Sequence, residues 1–215
     1  MATGAMRKVT RWWWVRHAPA IGHDGRIYGQ TDVACDCTDT ATFAALARIL
    51  PEDAVWVATP MRRTKDTAAA IRAAGNRGQE PIIEPDLIEQ NFGGWQGRKR
   101  SEIIRHRLWI SGADEMPPGG ESFVDVMARV RAAIERLNEA HRGRDIVAVA
   151  HGGTIRSALG LALDLEPERA LAFHTDNLAL TVIERFTEPG MSHDWRVVTV
   201  NRPALGFRDG DSPLA

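Results

Sequence analysis

Along the chain, short runs rich in β-branched and aromatic residues alternate with longer stretches whose apolar residues recur three and four positions apart. The short runs, Val9 to Val15, Ala54 to Thr59, Pro81 to Glu84, Asp145 to Ala150, Leu178 to Arg185 and Trp195 to Val200, each predict a β-strand. The run Ile146-Val147-Ala148-Val149-Ala150 contains no polar residue, which is the pattern of a strand covered on both faces, as in a parallel sheet lying between helices. In Trp12-Trp13-Trp14 the strand period sends Trp12 and Trp14 to one face and Trp13 to the other, so a two-sided sheet can bury all three. Phe123, Val126, Met127, Val130, Ile134 and Leu137 predict a helix capped by Ser122, with Asp125 three residues on. Phe43, Leu46, Ile49 and Leu50 predict another that Pro51 ends, an alanine-rich segment from Arg63 to Ala74 stops at Gly75, and Ile155, Leu159 and Leu163 form a further stripe.

This alternation implies an α/β fold, a three-layer α/β/α sandwich around a mostly parallel central sheet with right-handed crossovers. In such a fold the site forms from loops at the carboxyl ends of strands, here just after Val15, Thr59 and Ala150. Neither a repeat nor a linker interrupts the pattern, so residues 1–215 are expected to form a single domain, with 1–8 and 203–215 as loose termini.

Composition narrows the function. The chain has 215 residues and a net charge of −1, which gives no global field for nucleic acid or for an acidic membrane surface, so any anion must be recognised by a local arrangement. Of the basic residues 24 are arginine and three are lysine, an excess that fits coding bias as well as phosphate or carboxylate recognition. The two cysteines, Cys35 and Cys37, lack a second Cys or Cys/His cluster that would complete a zinc site, and reduced thiols are expected. No apolar run is long enough to span a membrane and the first segment lacks a secretory pattern, so a cytoplasmic protein is expected.

The three strand ends hold Arg16-His17, Arg63 in TPMRRTKDTA, and His151-Gly152-Gly153. Alone, either histidine reads as a packed or turn residue; two at neighbouring strand ends, each with an arginine nearby, suggest a shared anion site. A phosphate monoester needs cationic donors around its equatorial oxygens, an in-line nucleophile and an acid for the leaving oxygen. Neutral imidazole can attack phosphorus, and arginine offers paired donors while keeping its charge. Arg16, His17, Arg63 and His151 meet these demands without a metal or cofactor, and Glu89, in LIEQNFGGWQG, can be the proton donor.

These residues resemble the histidine phosphatase superfamily, which includes the cofactor-dependent phosphoglycerate mutases. Four motifs, WVRHAPA, TPMRRTKDTA, LIEQNFGGWQG and VAVAHGGTIR, occur in the family's order over roughly residues 9 to 185, and PPGGES resembles a segment common in its phosphatase members. The resemblance implies that His17 is the nucleophile that becomes phosphorylated, that Arg16, Arg63 and His151 bind the phosphoryl group, and that Glu89 is the acid and then the base. It places Arg62 on the surface and makes Arg26 and Gly29, in GRIYGQTD, part of a loop over the substrate, with His23 and Gly152 beside it. The pattern departs at Ala18, where the family has glycine, and at Pro19, Ala20 and His23, where it has an acidic or polar residue, threonine and often asparagine. A left-handed backbone would strain Ala18, and the lost threonine removes a phosphate donor that His23 can replace. The remaining histidines, His106, His141, His174 and His193, read as solvated or core residues.

The resulting expectation is a metal-independent phosphatase that hydrolyses small phosphate monoesters through phosphohistidine, with an α-ribazole phosphatase as one candidate. The alternatives are a phosphoglycerate mutase and a non-catalytic phosphate-ligand binding or regulatory protein on the same fold. The partner expected is a small-molecule phosphate ester, with no nucleic acid and no membrane; the oligomeric state is left open.

Overall fold

The computed structural model describes residues 9–105, 112–186 and 194–206. Six strands form one sheet: β1 (Val9–Arg16), β2 (Val55–Ala58), β3 (Ile82–Ile83), β4 (Asp145–Ala150), β5 (Ala179–Phe186) and β6 (Trp195–Pro203), in the order β3-β2-β4-β1-β5-β6. The pairs β1/β4, β2/β4 and β2/β3 are parallel, whereas β5 runs antiparallel to β1, and β6 to β5. The helices are α1 (Thr40–Ile49), α2 (Arg62–Ala73), α3 (Arg100–Arg105), α4 (Phe123–Ala140), α5 (Gly152–Ala162) and the single turn α6 (Pro167–Ala170). This is the expected mostly parallel α/β sandwich.

Strand alternation divides the core into two layers. Trp12 and Trp14 of β1, Val55 and Val57 of β2, and Ile146 and Ala148 of β4 pack under Val126, Val130 and Ile134 of α4 and Ile155 and Leu159 of α5. Trp13, Trp56, Val147 and Val149 face the other way, against Phe43 and Leu46 of α1 and Ala68 and Ile71 of α2. Trp12 and Trp14 stack with ring centroids 4.8 Å apart, so the tryptophan run is core on both faces. Because β1 and β4 are central and parallel, with β4 buried throughout and β1 over most of its length, their carboxyl ends are held rigidly side by side, with Arg16 opposite Ala150 in the register.

The structure departs from the sequence expectation in several places: the strand expected over Pro81 to Glu84 shortens to Ile82–Ile83, and the one expected to end at Val200 runs on to Pro203. The loose tail does not begin at Pro203: that residue closes β6, and Ala204–Gly206 forms a 3-10 turn in which Ala204 is buried. Short α3 was not anticipated, its sequence RSEIIR carrying too few apolar residues for a stripe. His106 and His193 lie outside the described residues, as do residues 1–8 and 207–215. No helix among the described residues is long and apolar enough to cross a membrane.

The start of α4 has the anticipated cap in reciprocal form. Asp125 N–H donates to Ser122 Oγ at 3.1 Å, and Ser122 N–H donates to Asp125 Oδ2 at 2.9 Å, which satisfies two groups at the first turn. Ser122→Ala is expected to lower stability by about 1 kcal/mol in urea unfolding with an unchanged slope; an unchanged midpoint would show that the cap contributes nothing.

Candidate active site

The ends of β1, β2 and β4 bring Arg16, His17, Thr59 and His151 together, and α2 adds Arg63 from one side. His17 is completely buried. Its Nδ1 lies 2.7 Å from the Ala18 carbonyl oxygen, which can only accept, so Nδ1 carries the proton. Nε2 is therefore the lone-pair nitrogen, and it is buried with no partner among the described residues. Burial first, then the Arg63 and Arg16 charges, hold the His17 pKa down at about 3. The imidazole is thus neutral at physiological pH, with its lone-pair nitrogen unpartnered and buried; His17, Arg63 and His151 lie beneath the cleft described below and are not among its lining residues.

The surrounding cations are held in a way that leaves their charge available. Arg63 is completely buried, and it donates to the Gly29 carbonyl at 2.6 Å and the Thr31 carbonyl at 3.0 Å. These carbonyl dipoles orient the guanidinium without neutralising it, and the face of Tyr28, 5.0 Å away, adds a cation–π contact. Arg16 donates to the Thr175 carbonyl. The Nε atoms of both arginines are buried and unpartnered among the described residues. The N-terminus of α5 lies at the same place, where its dipole favours an anion. His151, also completely buried, has its pKa pushed well down by burial and then by His17, Arg63 and Arg16. Its ring centroid is 5.3 Å from that of His17.

Glu89 enters from the loop after the 3-10 turn Pro85–Leu87. Its carboxylate accepts from Gln90 N–H at 2.9 Å and from Gly153 N–H at 3.4 Å. A Cβ on Gly153 would lie 2.4 Å from Glu89 Oε1, so the second glycine of HGG is what lets the carboxylate approach the helix. The loop is clamped by Arg129 of α4, which donates to the carbonyls of Asp86, Ile88 and Glu89 and pairs with both oxygens of Glu121. Glu121 is the acidic residue of PPGGES and also accepts from Asn91 N–H at 2.8 Å, so that segment supports the Glu89 loop.

Beyond these residues opens a cleft of about 510 Å³. Of the residues foreseen, Arg16, His23, Arg26, Gly29, Glu89 and Gly152 line it. His23 stands edge-on to Tyr28 at 5.0 Å with its Nδ1 buried and unpartnered among the described residues. Arg26 is exposed and donates to the Gly97 carbonyl at 2.8 Å. Gly29, at φ +46, approaches Gln96 so closely that a Cβ would meet its Oε1 at 2.5 Å. Ala18 is not among the residues with positive φ, so replacement of the family's glycine costs no strain; its N–H donates to Thr67 Oγ1 at 2.9 Å. Arg62 pairs with Asp66 on the surface, as expected. Cys35 and Cys37 are free thiols with sulfurs 3.6 Å apart. His174 is exposed but lines the cleft, and half-buried His141 caps the end of α4.

Other contributors were not singled out in the sequence. Asn177 Nδ2–H donates to the His17 carbonyl at 2.7 Å, the adjacent Leu178 adopts φ +60, and Thr59, Tyr28, Thr175 and Arg129 each touch a site residue. Thr59 marks a strand end in the sequence and Tyr28 is the chain's one tyrosine; the others carry no signal there.

Residues 12–201 match the model of the histidine phosphatase superfamily (branch 1), and the chain belongs to that family. It is 33% identical over 144 residues to the bifunctional protein Rv2228c of Mycobacterium tuberculosis, a match covering 65% of this chain and 39% of that protein, so the chain spans about two fifths of that relative's length. It is 30% identical to the 2,3-bisphosphoglycerate-dependent phosphoglycerate mutase 2 of Gloeobacter violaceus, over 72% of this chain and 76% of that one. Among solved structures it superposes on mycobacterial glucosyl-3-phosphoglycerate phosphatase in complex with VO3, with TM-score 0.75 and 28% identity, over 90% of this chain and 99% of that one.

The depressed His17 pKa has a consequence for stability. Unfolded, the imidazole titrates near 6.5; folded, it titrates near 3, so between those values the unfolded state binds more protons. His17's contribution is therefore complete above pH 6.5 and is lost as pH falls toward 3. Thermal unfolding of the wild type is expected to drop more steeply from pH 7 to pH 4 than that of His17→Asn; parallel profiles would contradict a neutral His17.

Proposed function

We propose that the protein is a phosphomonoesterase that works through phosphohistidine, with small phosphate esters as substrates. The observation that carries this reading is the pairing of a buried neutral His17, whose only free ring atom is Nε2, with two guanidinium groups whose Nε atoms lack protein partners. A binding protein needs the cations but not a nucleophile with an acid beside it.

In the first step His17 Nε2 attacks phosphorus in line, the bond from phosphorus to the ester oxygen breaks, and Glu89, entering as the carboxylic acid, protonates the departing oxygen. Arg16, Arg63 and His151 hold the equatorial oxygens, whose charge grows in the transition state. In the second step Glu89 as carboxylate takes a proton from water, the water oxygen bonds to phosphorus, and the phosphorus–nitrogen bond breaks to restore the His17 lone pair. Phe92, Phe123 and Leu171 give the cleft apolar lining for the alcohol part of the ester, and Arg26 and His23 add polar groups to it.

Hydrolysis is favoured over transfer by the resemblance of PPGGES to a segment common in phosphatase members and by the names of relatives such as phosphoserine phosphatase and glucosyl-3-phosphoglycerate phosphatase. The phosphoglycerate mutase relative supports the second reading, in which the phosphoryl group returns to another hydroxyl. With 3-phosphoglycerate, release of inorganic phosphate supports a phosphatase, and 2-phosphoglycerate as the product supports the mutase.

A single-turnover reaction with a labelled ester, quenched in base, is expected to leave an acid-labile, base-stable label on the protein that His17→Ala lacks; full activity in that variant would overturn the mechanism. Glu89→Gln is expected to lower kcat by about 100-fold or more while oxyanion affinity stays within about threefold. Equal losses in both would remove Glu89 from the acid role.

A further inference from the structure

His151 is presented to the site by a short relay of hydroxyl groups. Its Nε2 lies 2.9 Å from Thr59 Oγ1, which lies 2.9 Å from Thr64 Oγ1. The Thr64 hydroxyl is 2.8 Å from the Met61 carbonyl oxygen and 3.0 Å from that of Thr59. A carbonyl oxygen only accepts, so Thr64 spends its one proton there and is left as an acceptor. The Thr59 proton then goes to Thr64. Turned toward His151 instead, it would leave two hydroxyl oxygens 2.9 Å apart with no proton between them. Thr59 therefore accepts from His151, and Nε2 carries the imidazole proton. A neutral ring has only one, so the buried, unpartnered Nδ1 of His151 holds a lone pair. His17 has the opposite tautomer.

A lone pair aimed at a phosphoryl oxygen repels it. Without an anion His151 stays neutral because burial, and then the charges of His17 and Arg16 at the end of β1, Arg63 of α2 and Arg129 of α4, disfavour a cation there; the remaining titratable group facing the site is Glu89, whose carboxyl is held by Gly153 N–H. A dianion between the guanidinium groups reverses the sign of the local field, and a charge within a few ångströms in a buried site acts strongly. We propose that Thr59 is a positioning residue that locks His151 as the Nε2–H tautomer, so that the pocket takes up a phosphoryl dianion together with one proton, which rests on His151 Nδ1. His151 then binds the oxyanion as an imidazolium, and the proton leaves when the product leaves. This inference rests on the anion pocket of the proposed function and adds to it the protonation state in which the pocket works.

Tungstate is a suitable probe, since it is a tetrahedral dianion that does not itself titrate near neutral pH. Calorimetry of its binding between pH 7 and 8.5, in buffers of different ionisation enthalpy, is expected to show uptake of about one proton, with affinity falling about tenfold per pH unit. Thr59→Ser is expected to behave like the wild type. In Thr59→Val, which keeps the shape without the hydroxyl, the imidazole can turn its proton to Nδ1. Uptake is then expected to fall near zero and the pH slope to flatten below about twofold per unit. Equal uptake in Thr59→Val and wild type, or none in the wild type, would overturn the proposal.

Nitrogen-15 spectra of the wild-type imidazoles decide the question independently of any variant. The free protein should show His151 protonated at Nε2 alone, and the tungstate complex should show both its nitrogens protonated while His17 keeps one proton. The reverse tautomer in the free protein, or the added proton on His17, would refute it. Failure of tungstate to bind would count against the phosphatase reading, and the free-protein tautomer would still decide this one.

Discussion

The hydrogen bond from His17 Nδ1 to the Ala18 carbonyl oxygen, 2.7 Å long and fully buried, determines what every other group in the pocket can do. Because that nitrogen is committed to the backbone, the single remaining lone pair sits on Nε2, and the ring cannot reorient without breaking a buried bond. The surroundings reinforce the choice. A protonated ring would put a third cation beside Arg16 and Arg63, and burial with those charges depresses the His17 pKa to about 3. Asn177 holds the His17 carbonyl and Thr67 holds Ala18 N–H, so the backbone that supplies the acceptor is fixed from both sides. The fold positions this bond by placing β1 at the centre of a sheet covered on both faces, and the three tryptophans of β1 supply much of that cover.

With a net charge of −1, the chain attracts an anion through a few groups only. Arg63 is oriented by two carbonyl oxygens and Arg16 by one, whereas other arginines are spent against carboxylates: Arg11 on Glu184 and Asp145, Arg129 on Glu121, Arg136 on Glu84 and Asp86. An arginine paired to an acid is largely neutralised and serves the fold; one held by dipoles retains its charge for a ligand. The arginine excess therefore divides by partner type. Arg11, away from the site, and Arg129, which supports the Glu89 loop, are half-buried structural ties rather than free surface charges.

Much of this was legible in the sequence, for reasons visible in particular residues. The apolar runs of β1, β2 and β4 lead directly into Arg16, Thr59 and His151, so local pattern and topology together point at the site. The Ser122 cap is a contact between residues three apart, and it was found. The Arg129 clamp on the Glu89 loop spans about forty residues, and no local pattern in the sequence marks it. Asn177 and Thr175 become site residues only when separate parts of the chain meet, and no periodicity encodes that meeting. The antiparallel placement of β5 and β6 also depends on loop geometry that the apolar pattern does not carry.

The phosphorylated nitrogen tests the central claim most directly. If the bond to Ala18 sets the chemistry, the trapped phosphoenzyme should carry phosphorus on Nε2 of His17. Phosphorus-31 and nitrogen-15 correlation spectra of the base-quenched peptide distinguish the two ring positions. A phosphoryl group on Nε2 of His17 is the result expected. Phosphorus on Nδ1 of His17, or on His151, would mean that the Ala18 bond does not select the nucleophile and would contradict the account.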